Sequence, residues 1–158
     1  MKITLTIGWK EVQQQIDLRN FYMGEAIKRR EADGDIMQSC SDDKELLVSF
    51  ANMACNGLIT AAALRSHIIN FGIDNNNITI MFEADDDCHE HLLPRIQKSI
   101  TDFLVNEIIL QWLLLRKPQM AQTYIYMRDG LCNNAIKLIA KMCNPQRIHR
   151  RATDLGGI

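Results

Sequence analysis

Phe103 to Leu115 reads Phe-Leu-Val-Asn-Glu-Ile-Ile-Leu-Gln-Trp-Leu-Leu-Leu, a run in which ten of thirteen residues are apolar and only Asn106, Glu107 and Gln111 interrupt. A helix of that composition has too narrow a polar face to lie on a protein surface. It must be buried almost all round, or keep part of its circumference for another protein. The run is shorter than the roughly 20 apolar residues that span a bilayer and carries a glutamate near its middle, so no membrane span is expected.

The chain has 158 residues, enough for one domain that buries a core without covalent staples. Eighteen Lys+Arg against nineteen Asp+Glu leave a net charge of −1, so the molecule as a whole has no electrostatic bias toward nucleic acid or an anionic membrane. Five cysteines, Cys40, Cys55, Cys88, Cys132 and Cys143, are odd in number and contain no CxxC pair, which points to reduced thiols in a cytosolic compartment. The N-terminus alternates apolar and polar residues where a signal peptide would show an unbroken apolar stretch.

That alternation, Ile3, Leu5 and Ile7 against Thr4 and Thr6, predicts a half-buried strand ending at Gly8. A second strand is expected at Ile78 to Phe82, after the turn-rich run Gly72 to Asn77, and the two should pair with each other. Between them the spacing predicts two helices. The first, about Lys10 to Arg30, carries Val12, Ile16, Met23 and Ile27 on one face and ends at Asp33-Gly34-Asp35. The second opens on the caps Ser41-Asp42-Asp43 and carries Leu47, Phe50, Ala54, Gly57, Ala61, Leu64 and Ile68. A third helix is expected from Asp87, with Glu90 closing a capping box and Pro94 in the tolerant first turn, running to about Arg116. Pro118 should begin a fourth, with Ala121, Tyr124, Leu131, Ala135, Leu138 and Met142 on one face until Asn144-Pro145 stops it. The short connection makes helices three and four antiparallel neighbours. The expected fold is mainly α, α+β at the margin: a four-helix bundle with a small two-stranded β element over residues 1–144, followed by a basic flexible tail over 145–158.

Ligand-type residues gather only in Asp85-Asp86-Asp87-Cys88-His89-Glu90-His91. Carboxylate, thiolate and imidazole bind divalent transition metals, so a metal-dependent enzyme using Asp85 to His91 is one reading. Histidines two apart would point about 200° apart around a helix, unlike the i, i+4 ligands of HExxH, and helix capping explains the same residues. No metal, cofactor or catalytic residue is therefore assigned. Phosphate loops, GxSxG and GxGxxG are absent. Cys55 and His67 fall twelve residues apart on one expected helix and do not meet.

The basic concentration of Lys137, Lys141, Arg147, His149, Arg150 and Arg151 makes Arg147, Arg150 and Arg151 candidate contacts for an anion or nucleic acid. No aromatic residue interleaves with them, so nucleic acid is the less favoured partner. Arg95, Lys98, Asp102, Asn106 and Glu107 trace a solvent-facing stripe on the third helix that narrows toward its end. Leu110, Trp112, Leu113 and Leu114 are therefore the candidate interface, for a partner protein or a second copy. Tyr124 and Tyr126 are further possible anchors, with core packing as the alternative for all these aromatics.

The opening Met1-Lys2-Ile3-Thr4-Leu5-Thr6-Ile7-Gly8-Trp9 with Glu11-Val12, the stretch Phe103-Leu104-Val105-Asn106 with Trp112 and Lys117, and Ala121, Tyr124 and a basic end resemble small proteins encoded in prophage and phage-like elements of anaerobic gut bacteria, near tail and virion-assembly genes. That group tends to be richer in Lys, Arg and Pro after the last helix than this chain is. The resemblance implies a non-enzymatic structural or assembly component, in the host cytoplasm or virion-associated. Its expected partners are other phage-type structural proteins, with no catalytic residue to carry over.

Overall fold

The computed structural model describes residues 1–28, 44–62 and 68–143. Expectations that fall on Asp33 to Asp35, Cys40, Ser41 to Asp43, Leu64, His67, Asn144-Pro145 and the tail with Arg147, Arg150 and Arg151 lie outside the described residues. The elements follow in the order β1 (Lys2–Gly8), α1 (Trp9–Lys28), α2 (Lys44–Ala62), β2 (Ile68–Ile73), β3 (Asn77–Glu83), α3 (Leu93–Arg116) and α4 (Gln122–Cys143). Short 3-10 turns at Glu90–Leu92 and Pro118–Met120 precede α3 and α4. The protein is mostly helical with a small antiparallel sheet, and it is not a clean four-helix bundle.

The sheet has three strands rather than the expected two, in the order β1-β3-β2. The expected pair forms as β1 against β3, with Ile3 opposite Phe82, Leu5 opposite Ile80 and Ile7 opposite Ile78. These side chains share one face and are all buried. The added strand, β2, pairs with β3 across a hairpin. Its turn is held by Asp74, whose carboxylate accepts from the amides of Asn76 and Asn77 at 2.7 Å each, which lowers the Asp74 pKa. Ile68, expected at the end of the second helix, belongs to this strand. Helix α2 also turns its core face differently from expectation. Leu47, Phe50, Ala51, Ala54, Cys55, Leu58 and Ala62 are buried, while Gly57 and Ala61 are exposed. Over so many turns a strict 3.5-residue stripe drifts off the core of a straight 3.6-residue helix. By length and composition α2 could cross a membrane, with a mean hydropathy of 1.2, but its apolar face packs on α3 and β2.

The apolar run occupies the centre. Phe103 to Leu110 are buried at eight consecutive positions because α1, α2, α4 and the sheet surround α3. Each Leu or Ile fully withdrawn from water there stabilises the fold by about 1.5–3 kcal/mol. α3 and α4 lie antiparallel, as their short connection requires. Their register is fixed by Asn134 Nδ2 donating to Ser99 Oγ at 2.9 Å and Asn106 Nδ2 donating to the Tyr124 carbonyl at 3.1 Å.

The start of α3 departs from expectation for a physical reason. Asp87 does not cap it; the helix begins at Leu93 with Pro94 in its first positions, and its cap residue Leu92 makes no side-chain bond. The Asp85 to His89 loop instead serves α4. The Asp85 amide donates to the Cys143 carbonyl at 3.1 Å and the His89 amide to Met142 O at 3.0 Å. Carbonyls that the end of a helix leaves without partners are thereby satisfied.

Candidate functional site

Several sites expected from sequence are placed elsewhere than their spacing implied. Leu110, Trp112 and Leu113 are buried within the chain, and the Arg116 guanidinium lies over the Trp112 ring at 5.8 Å. Of the four candidate interface residues only Leu114 is exposed, and it is joined by Leu115. The polar stripe is corrected too. Arg95 and Lys98 face solvent and Lys98 pairs with Asp102 at 3.0 Å, but Asn106 and Glu107 are buried. The first half of α4 covers them. Besides the Asn106 bond to Tyr124, Glu107 Oε1 accepts from Gln111 at 2.9 Å and lies 3.9 Å from Arg128.

The acidic and histidine cluster also takes a shape that a helical reading missed. Because residues 85–89 form a loop, His89 and His91 do not point apart; their ring centroids are 5.3 Å from each other. The N-terminal ammonium donates to Ala84 O and lies 3.8 Å from Asp86 Oδ1, tying the start of β1 to this loop. Partial burial raises the Cys88 pKa, and the Glu90 carboxylate adds to the shift. Among the described residues no group of three His, Cys, Asp or Glu side chains is placed to hold a metal ion. Cys55 and Cys143 are buried thiols whose pKa values burial pushes up to about 12.

Among the described residues a groove of about 400 Å³ lies between α1 and the start of α4, lined by Arg19, Met23, Met120, Thr123, Tyr124 and Met127. Its geometry follows from two local choices. On α1, Trp9, Val12, Ile16 and Asn20 turn inward, which leaves Arg19 and Met23 at the margin of that face. On α4, the 3-10 turn after Lys117 starts the helix so that Met120, Tyr124 and Met127 recur at helical spacing along the same side. Two polar contacts brace the walls. Arg19 reaches Asp102 of α3 at 3.5 Å, and the Tyr124 hydroxyl donates to Met23 Sδ at 3.3 Å. Burial raises the Tyr124 pKa despite the nearby Arg19 guanidinium, so the phenol remains a donor.

Large apolar side chains also stand in solvent elsewhere on these helices. Leu18, Phe21 and Tyr22 lie on the face of α1 opposite Val12 and Ile16, the Phe21 and Tyr22 rings meeting edge to face at 5.8 Å. Tyr126, 76% exposed, stands three residues from Thr123 on α4, and Leu115, 67% exposed, lies in the last turn of α3. Thioethers and a braced phenol give an adaptable, weakly polar surface suited to receiving apolar side chains of another protein. Of the Tyr124/Tyr126 pair singled out in the sequence, Tyr124 is half-buried in the groove wall and Tyr126 is exposed; the methionines were not singled out. Met23 reads as core at helical spacing, and only the α1 to α4 juxtaposition, between elements roughly a hundred residues apart, turns it into a groove wall.

No protein-family model, curated protein or solved structure matches the chain.

Proposed function

We propose that this chain is a phage-type assembly or virion-associated protein that acts through protein contacts and performs no chemistry of its own. The observation that carries the contact reading is the methionine-lined groove between α1 and α4, on helices that also leave Phe21, Tyr22 and Tyr126 in solvent. Leaving such aromatics in water forgoes the burial free energy that the same chain collects around α3, and an apolar surface left open in this way supports a contact role. The phage-type assignment is supported by the sequence resemblance. In this reading the partners are other structural proteins of the same element, and Leu114 and Leu115 extend the contact surface at the α3 end. The test is to induce the element that encodes the chain and to compare particles from intact and deletion strains by quantitative mass spectrometry and plating. Presence of the chain in purified particles, or their failure to complete without it, supports the assignment. Normal infectious particles in its absence overturn it.

A further inference from the structure

The two edges of the sheet are finished differently. Along β2 a register irregularity falls between Ile68 and Asn70, and the amide of Phe71, which points away from β3, is taken by its neighbour, the Asn70 side-chain oxygen, at 2.8 Å. Bulges and side-chain caps of this sort prevent further strand pairing. β1 carries neither. It runs straight for seven residues without proline, and Lys2 is its one charged residue. Met1 and Ala84 exchange both main-chain bonds, and the Trp9 amide donates to Asn76 O at 2.7 Å. Residues 1, 3, 5, 7 and 9 therefore bond to β3, and the main-chain groups of Lys2, Thr4, Thr6 and Gly8 point outward, by the period-two rule of antiparallel ladders. The Gly8 carbonyl accepts the first bond of α1, which starts at Trp9; the main-chain groups of Lys2, Thr4 and Thr6 and the Gly8 amide have no partner among the described residues.

The side chains of this open edge read the same in both directions, Ile3-Thr4-Leu5-Thr6-Ile7. From that symmetry we propose that β1 is a homodimerisation edge, pairing antiparallel with β1 of a second copy about a two-fold axis through Leu5. In that register Thr4 faces Thr6 of the other copy, both with amide and carbonyl pointing outward, and Lys2 faces Gly8, whose amide is the group left to pair. Ile3 falls opposite Ile7 on the helix-covered face, and threonines meet threonines on the open face, both favourable cross-strand pairs. No like charges meet, since the charged Lys2 lies opposite glycine. A two-fold axis normal to the sheet makes the contact isologous and closed, giving a continuous six-stranded sheet with the helices of both copies on one side. α1, which begins at Trp9 directly after β1 and packs beside it, is then brought toward α1 of the second copy. The dimer is separate from the groove, so its failure leaves the proposed function standing.

Light scattering coupled to size exclusion, with amide hydrogen exchange on the full chain, tests the proposal. The expected mass is twice 18.1 kDa, and in the dimer the amides of Thr4 and Thr6 are protected as well as those of Ile3, Leu5 and Ile7. Thr4→Pro removes an outward donor without touching the bonds to β3. The double variant T4K/T6K keeps the amides and sets like charges across the edge. Each should give a monomer with a native circular dichroism spectrum, with protection at position 6 falling about tenfold or more. Should the proline variant fail to fold, the charged variant decides. A monomer at all concentrations, a dimer whose Thr4 and Thr6 amides exchange freely, or a dimer that survives T4K/T6K overturns the proposal.

Discussion

The middle of α3 and the outward surfaces of α1 and α4 are comparably rich in large apolar side chains, yet one is sealed and the other open. Phe103 to Leu110 lie within a ring of helices and sheet, whereas Leu18, Phe21, Tyr22, Tyr126 and Met127 remain in solvent on the two helices that form a methionine-lined groove. The difference teaches where in this chain hydrophobicity is used for folding and where it is available for contact. Around α3 every direction is supplied by an element of the same chain. At the α1 to α4 seam the Tyr124 hydroxyl meets Met23 while Arg19 ties α1 to Asp102 of α3, and the remaining apolar surface has no cover among the described residues.

Truncation separates the two regions most sharply. Leu104→Ala or Ile108→Ala, each at a fully buried site, should lower unfolding free energy in urea by about 2–5 kcal/mol; a loss near zero would mean that α3 is not the core. Phe21→Ala and Tyr126→Ala, at exposed sites, should change the same quantity by no more than about 0.5 kcal/mol. If either costs as much as a core truncation, the open surface is part of the fold and the comparison fails. An intermediate case sharpens it. Asn106 is buried with its carbonyl oxygen unpartnered, so Asn106→Leu, which removes one made bond and one unmet need together, should stay within about 1 kcal/mol of the parent.

Titration gives the smaller effects. The thiols of Cys55 and Cys143 are held protonated by burial, with folded values raised from 9.0 to about 12. Their contribution to stability is complete below the unfolded value and is lost as pH rises from 9.0 toward about 12. Urea melts across that window should show falling stability, and Ellman's reagent at neutral pH should label these two only on unfolding. Asp74 has the opposite sign. Its folded pKa is lowered from 3.8, so its contribution to the hairpin is present above that value and is lost as pH falls through the folded one. Asp74→Ala should flatten the acid limb of the stability curve slightly and leave the alkaline limb alone.

Local periodicity made much of the fold legible. The β1 to β3 pair followed from alternation, and the central burial of α3 and its antiparallel α4 followed from composition and a short connection. Where the reading failed, a long-range contact had decided. Ile68 looked like the end of a helical stripe, although Ile68, Phe71 and Ile73 before the Asp74-Asn-Asn-Asn turn carry a strand signal that β3 makes real. Glu90 fits a capping box, but the loop amides were claimed by the end of α4, more than fifty residues on. Asn106 and Glu107 looked like solvent positions until α4 covered them. The groove was least legible because its walls come from opposite ends of the chain, and no spacing within α1 or α4 announces that Met23 and Tyr124 meet.

The central claim is that the open seam binds another protein. The measurement that meets it most directly is calorimetric titration of the full chain against the purified products of genes flanking its own, with parent, Thr123→Glu and Met127→Glu proteins in parallel. One of those products should bind the parent, and both substitutions should weaken binding about tenfold or more, equivalent to about 1.4 kcal/mol, with thermal unfolding unchanged. Absence of binding to every neighbour, or binding that both substitutions leave untouched, would contradict the account.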